Sequence, residues 1–137
     1  MLKRIGISLD GDLLDKFDEL ISSRGWENRS EAVRDLIREQ LVEEEWSRDE
    51  TETMAVVAFV YDHHAHDLSQ KLAEIQHDSY ASVVSTLHVH MDHHNCLEIL
   101  ALRGRPGELR RLGSALIGVR GVKHGRFMPT TSGADLT

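Results

Sequence analysis

From Lys3 to Leu9 the chain alternates, with Lys3, Ile5, Ile7 and Leu9 on one side and Arg4, Gly6 and Ser8 on the other. A period of two sends successive side chains to opposite faces, so this stretch predicts a strand with one apolar and one polar face. Asp10-Gly11-Asp12 ends it. The spacing then turns helical, with Leu13, Leu14, Phe17, Leu20 and Ile21 in a single stripe. Gly25 stops that helix. Asn28-Arg29-Ser30-Glu31 starts another, with Asn28 as cap, Glu31 three residues on in the capping-box position, and Ser30 as an alternative cap. Ala32, Val33, Leu36, Ile37, Leu41 and Val42 form its stripe. Glu43 to Glu52 is acidic and lacks an apolar stripe. It reads as a frayed helix end with a linker, or equally as a solvated helix face, and either places a boundary near residue 50.

A strand followed by two helices buries too little surface to fold alone, and a lone strand leaves both its edges unpaired. Dimerisation solves both problems. Two such strands pair antiparallel, their apolar faces pack on four helices, and their polar faces point outward as a ribbon that fits the DNA major groove.

A second pattern follows. Ala55–Val60 is a continuous apolar run, a buried strand. His66–Gln76 has helical spacing at Leu68, Leu72 and Ile75; Ser82–Met91 and Cys96–Leu102 alternate; Gly107–Val119 carries Leu109, Leu112, Ala115 and Leu116 on one stripe; Gly121–Met128 is a short last strand. The order βαββαβ predicts a four-stranded antiparallel sheet with both helices on one face. The fold class is therefore α+β: an N-terminal ribbon-helix-helix unit over residues 1–50, a ferredoxin-like domain over 51–128, and a disordered tail over 129–137.

Composition changes the picture in three places. The formal net charge of −7 argues against a general nucleic-acid or membrane coat, though not against a DNA reader with local basic residues. The single cysteine cannot form an intrachain disulfide, and with no signal peptide after Met1 and no apolar run of membrane-spanning length, a cytoplasmic, soluble protein is expected. Eight of the nine histidines lie between His63 and His94.

Those histidines surround the stretch His88-Val89-His90-Met91-Asp92-His93-His94-Asn95-Cys96-Leu97-Glu98. His88 and His90 are two apart on a strand, so their imidazoles leave the same face. Met91–Asn95 makes the hairpin, and Cys96 opens the next strand with Glu98 and Leu100 on its face. The helices are expected to cover the face with the larger apolar group, Leu87, Val89, Met91, Leu97, Ile99 and Ala101. His88, His90, Cys96 and Glu98 would then look away from them, beside Val84 and Leu100, into a subunit interface. Two imidazoles and a thiolate suit Zn(II), Cu(II) or Ni(II) rather than Mg(II) or Ca(II). A fourth ligand is needed, and His77 at the end of the 66–76 helix is the best placed. Glu98 suits an acceptor behind the ligands. His93 and His94 read as solvated turn residues. His63, His64 and His66 form a second cluster, compatible with weak metal binding and equally with a polar loop before a helix. Taken singly, a His-x-His on a strand is ordinary surface and a lone cysteine a small hydrophobe. Their coincidence on one hairpin is what points to metal.

Residues 4–41, with Arg4-Ile5-Gly6-Ile7-Ser8-Leu9 and Asn28-Arg29-Ser30-Glu31-Ala32-Val33-Arg34-Asp35, resemble a ribbon-helix-helix DNA-binding domain. The second half, with Gln76-His77, Thr86-Leu87-His88-Val89-His90, Cys96-Leu97-Glu98-Ile99 and Arg120-Gly121-Val122-Lys123-His124-Gly125, resembles the metal-binding domain of the NikR family of nickel-responsive transcriptional regulators. The resemblance covers nearly the whole chain, to about Phe127. It implies a homotetramer, a dimer of dimers held by a core of ACT-like C-terminal domains. It implies one square-planar Ni(2+) per subunit at the core interface, with His88, His90 and Cys96 from one subunit, His77 from its neighbour, and Glu98 behind them. It implies a further, weakly bound cation at Glu31 and Asp35, with backbone carbonyls of Ile117, Val119 and Val122. It also implies double-stranded operator DNA with palindromic half-sites as partner, and repression of nickel-uptake genes. Gly6 departs from the family, whose members often carry a hydroxyl residue there.

On that reading Arg4 and Ser8 of each ribbon meet base edges, with Gly6 between them contributing no side chain. Asn28, Arg29 and Ser30, at the start of the second helix, meet phosphates through side chains and helix-terminal amides. The plainer readings are a surface arginine for Arg29, and capping or helix-dipole compensation for Glu31 and Asp35. Nickel would order the stretch from His63 to Tyr80 by fixing His77 across the interface. Three rivals remain on the sequence. The protein could sense another transition metal, Cu, Co or Zn. It could be a metal-independent ribbon-helix-helix regulator or antitoxin. As an enzyme, it would use His88, His90 and Glu98 as the metal triad of a cupin oxygenase, a fold that needs more strands than this chain offers.

Overall fold

The structure is a computed structural model that describes residues 1–79 and 82–137; Tyr80, the last residue of the stretch expected to be ordered by nickel, lies outside them. Two compact units divide within a helix, Met1–Leu41 and Val42–Thr137.

The first unit holds α1 (Gly11–Arg24) and the start of α2 (Arg29–Arg48). Asp10 caps α1, its carboxylate accepting the Asp12 N–H at 3.0 Å. Gly25 ends it at φ 74, a left-handed conformation that costs a glycine least. Asn28 caps α2 as the sequence predicts: its side-chain oxygen accepts the Glu31 N–H at 2.9 Å, and its carbonyl accepts the Ala32 N–H. The Glu31 carboxylate, however, pairs with Arg34.

Residues 1–10 form no strand among the described residues. A strand is stabilised by its ladder, and the alternating segment finds no ladder within one chain, so Ile5, Ile7 and Leu9 stay exposed. An open groove of about 740 Å³ runs beside them, walled by Leu14, Phe17, Val33 and Ile37. No residue of α1 is buried.

The second unit is the predicted βαββαβ: β1 (Thr53–Asp62), α3 (Leu68–Asp78), β2 (Val83–His90), β3 (Asn95–Gly104), α4 (Pro106–Ile117) and β4 (Val122–Pro129). The sheet is antiparallel throughout, in the order β2-β3-β1-β4. Its core gathers Val57, Phe59 and Tyr61 of β1, Leu100 and Leu102 of β3, Leu68 and Leu72 of α3, and Leu109, Leu112 and Leu116 of α4.

Which face the helices cover is opposite to the expectation. Cys96, Glu98, Leu100 and Leu102 are buried, and Cys96 belongs to the core cluster, so the ligand face is the helix-covered one. The reason lies in β1. Its register sets Val57, Phe59 and Tyr61 across from Leu100, Glu98 and Cys96, and their bulk outweighs the apolar group counted on β2 and β3 alone. The other face, with Val60, Leu97 and Ile99 half-buried and Leu87 and Val89 exposed, is also apolar. That explains why Ala55–Val60 reads as an unbroken apolar run: strands with apolar residues on both faces are those of sheets covered on both.

Two further expectations change at the ends of this unit. The acidic stretch after Glu43 stays helical to Arg48, because it carries Trp46, 6% exposed. The indole meets Phe127 edge-on, donates to the Thr130 carbonyl at 2.7 Å and lies under the Arg110 guanidinium. The tail likewise begins ordered. Thr130 N–H donates to the Met54 carbonyl and the Thr131 hydroxyl to Glu45.

Candidate metal centre

The β2–β3 register pairs His90 with Cys96 and His88 with Glu98, so all four side chains leave one face, as the His-x-His spacing requires. Asp92 builds the turn between them. Its carboxylate accepts the N–H groups of His94 and Asn95 and the Asn95 amide, which hold it far below the usual carboxylate range.

At the end of this hairpin three ligand atoms converge. The Cys96 Sγ lies 3.1 Å from His63 Nδ1 and 3.4 Å from His90 Nδ1, and all three lie within 4.8 Å of one another. His88 stands beside His90, with ring centroids 5.0 Å apart, and meets Tyr61 edge-on. His77 lies on the exposed last turn of α3 and is not among the converging groups.

Strand order, rather than spacing within one strand, brings His63 to the sulfur. Tyr61 pairs with Cys96 across β1 and β3, and the His63 N–H continues that ladder to the His94 carbonyl. A residue two past Tyr61 shares its face, and so arrives beside the sulfur. The signal was there once β1 is set next to β3, which is the strand order of a split βαβ sheet.

Burial pushes the Cys96 thiol up, and the charges of Glu98, Asp62 and Asp92 add to the shift. A metal binding here displaces the thiol proton, and the upward shift makes that displacement harder than from a free cysteine. Imidazole nitrogen with sulfur fits a borderline or soft transition ion and not Mg(II) or Ca(II). Behind the sulfur, Glu98 is buried and accepts from Gln76 Nε2 at 3.1 Å. Burial also holds the Tyr61 phenol well above its ordinary range, with Glu98 and Ser69 as hydrogen-bond partners.

In the first unit, Arg4, Gly6 and Ser8 are exposed, and a Cβ at Gly6 would meet nothing within 4 Å. Arg29 is engaged by Asp18 through two 2.8 Å hydrogen bonds, so any phosphate must compete with that carboxylate. Asn28 spends its side chain on the cap, and Ser30 follows it in the first turn of α2. Asp35 takes the Trp26 indole N–H at 2.8 Å and pairs with Arg38. Ile117 ends α4 in the second unit, and the Val119 carbonyl just after it accepts the Val122 N–H.

Comparison with known proteins bears on both units. Residues 54–130 match the NikR C terminal nickel binding domain, and residues 3–44 match the ribbon-helix-helix proteins of the copG family. A relative in Solibacter usitatus, named a "putative nickel-responsive regulator", is 55% identical over 98% of this chain and 97% of its own. Relatives of the same name in Desulfovibrio desulfuricans, 55% identical over 98% and 97%, and Geobacter metallireducens, 54% identical over 97% and 96%, align as fully. Among solved structures, an uncharacterized protein of Thermotoga maritima superposes with a TM-score of 0.53 at 12% identity, over 59% of this chain and 100% of that one, a likeness of fold alone.

Proposed function

The chain belongs to the NikR family of nickel-responsive ribbon-helix-helix regulators, and is no enzyme; from that premise we propose that it represses nickel-uptake genes by gripping palindromic operator DNA when nickel is bound. The observation that carries the reading is the buried Cys96 sulfur between imidazoles, on a hairpin that also presents His88.

One Ni(2+) per subunit would be held by His88, His90 and Cys96, with His77 supplied by a neighbouring subunit. When bound, the metal supplies a rigid joint between chains and neutralises the thiolate. The residues around it do the rest. Glu98 holds Gln76, and so fixes the end of α3, where His77 follows. Burial of Cys96 keeps water and hard cations from competing for the sulfur.

The homotetramer of this reading has two kinds of joint. The apolar groove beside residues 1–10, and a first unit with almost no buried side chains, support a ribbon-helix-helix dimer. The uncovered apolar sheet face, with Leu87, Val89, Leu97 and Ile99, supports pairing of the second units. Arg4 and Ser8 would then read bases from the ribbon, while Arg29, Ser30 and the α2 terminus hold phosphates. A weaker cation held by the Glu31 and Asp35 carboxylates belongs to the same proposal, as do the domain division expected near residue 50 and the cytoplasm as the site of action.

The test is operator binding by the full chain with and without Ni(II), followed by fluorescence anisotropy. Nickel must favour the DNA-binding arrangement by a coupling on the order of 1–3 kcal/mol, or roughly 5–150-fold in affinity. Equal binding with and without nickel, or with Zn(II) at matched free concentration, would overturn the reading.

A further inference from the structure

Outside the Cys96 centre, three exposed imidazoles close a triangle. Ring centroids lie 5.4 Å apart for His64 and His93, 5.7 Å for His64 and His94, and 5.0 Å for His93 and His94. Two different segments bring them together. His64 follows β1, and its N–H donates to Asp62 Oδ1 at 2.9 Å. His93 and His94 sit in the β2–β3 turn, whose shape Asp92 fixes. The other Asp62 oxygen lies 4.0 Å from His94 Nδ1. The charges facing the group are therefore Asp62 and Asp92, with Lys123 as the nearby cation, its ammonium bound to Asn95.

The geometry points to a second, solvent-facing site for an imidazole-preferring divalent transition ion at His64, His93 and His94. In a chain of formal net charge −7, two carboxylates beside three imidazoles make a cation welcome there. Imidazole selects Ni(II), Cu(II) or Zn(II) over Mg(II) and Ca(II). The ligand atoms that already lie within 4.8 Å of one another are those of His63, His90 and Cys96. The outer three are set ring to ring on exposed side chains, whose rotamers are free to change on binding. The turn and the ladder, not the metal, supply their proximity, so little backbone ordering is left for binding to offset.

Position gives this site a use. His64 stacks against His63 with centroids 4.1 Å apart, and His63 touches the Cys96 sulfur. The outer site shares no ligand with the buried centre, yet stands at its mouth, where a loosely held ion is one imidazole away from the sulfur.

Equilibrium dialysis of the full chain against Ni(II) alone tests this, comparing the natural protein with the variant carrying His64→Ala, His93→Ala and His94→Ala. Loss of one nickel equivalent per chain in the variant is expected, with the nickel–thiolate absorption band retained. His66→Ala, whose side chain is 95% exposed and outside the triangle, should leave the uptake unchanged. Equal nickel uptake by the natural protein and the triple variant would overturn the site. So would an equal loss on His66→Ala, which would mean diffuse histidine binding. Uptake decides the outer site whether or not the thiolate band appears, so a failure of the Cys96 centre is read separately.

Discussion

Gln76 Nε2 donates to Glu98 Oε1 at 3.1 Å, joining the last turn of α3 to the strand that carries Cys96. The two ends of this bond matter because of their neighbours. His77 follows Gln76, and Cys96 lies two residues before Glu98, on the same face. Glu98 is buried, so a partner removed here leaves a desolvated group behind. Gln76→Ala and Glu98→Ala are therefore each expected to weaken nickel binding by about 10–100-fold, the usual effect of losing a group that orients a ligand. Competition titration against a chelator measures it, and an unchanged far-ultraviolet circular dichroism spectrum separates it from unfolding. A nickel affinity equal to that of the natural protein would show that the bond orients nothing.

A second expectation concerns the sheet face that the helices leave open. Leu87 is 57% exposed and Val89 36%, in a patch continued by Leu97 and Ile99. A carboxylate placed there would be buried in any joint between second units, at a cost of several kcal/mol per ion. Leu87→Asp should reduce the proposed tetramer to dimers in light scattering after size exclusion, without disturbing the fold. A tetramer that survives the substitution would place the joint elsewhere.

That face shows how much was legible beforehand. The periods of two and 3.6 placed every element of the second unit within a few residues, because each has a strong apolar pattern. They also put His88, His90, Cys96 and Glu98 on one face. They do not settle which face is covered: β2 and β3 alone favour the other one, while Phe59 and Tyr61 of β1 decide it. The contact of His63 with Cys96 is hidden for a related reason: it is made through strand order, which periodicity does not carry. Trp46 forms no stripe with its acidic neighbours, so spacing does not reveal it, although one indole can anchor a helix end.

The Asp18–Arg29 pair gives an expectation for acid. The Arg29 hydrogen bonds hold the Asp18 carboxyl below its usual range. A folded-state pKa lower than the unfolded one means the pair stabilises the first unit above the unfolded value, ~3.9 for an aspartate. The contribution is lost as pH falls through the lower, folded value. Asp18→Asn should therefore lower the melting temperature near neutrality, and the gap to the natural protein should close as the solution is acidified below about pH 4. Both groups are largely solvent-facing, so the gap should also shrink at high salt. A gap that is constant with pH would assign the effect to the helix rather than to the charge.

Trp46 anchors the end of α2 by two separable means, ring packing against Phe127 and the N–H donated to Thr130. Trp46→Ala removes both and should cost the second unit about 3–5 kcal/mol in denaturant unfolding. Trp46→Phe keeps much of the packing. The Thr130 carbonyl still accepts the Thr53 hydroxyl at 3.2 Å, so its loss is only partial. About 0.5–1.5 kcal/mol is expected for that hydrogen bond, plus a smaller packing change. If the two variants were equally destabilised, the hydrogen bond rather than the ring would be the anchor.

The last expectation separates two ligand sets for the same sulfur. Within one chain His63 stands 3.1 Å from Cys96, while His77 points from α3 into solvent. In the proposed tetramer the ligand that completes the site is His77 of another subunit, and His63 is a neighbour that gives way. The two differ in what each substitution removes. His77→Ala should abolish the nickel–thiolate band and nickel-dependent operator binding together, while leaving Cys96 and His90 in place. His63→Ala should keep both. Mixed tetramers sharpen the comparison. Subunits carrying His77→Ala, combined with subunits carrying Cys96→Ala, should regain some complete sites, because each variant supplies what the other lacks across the interface. Ligands drawn from a single chain allow no such rescue. Absorption of the mixed protein decides it: a recovered band requires a shared site, and loss of the band on His63→Ala with retention on His77→Ala would put all the ligands on one chain.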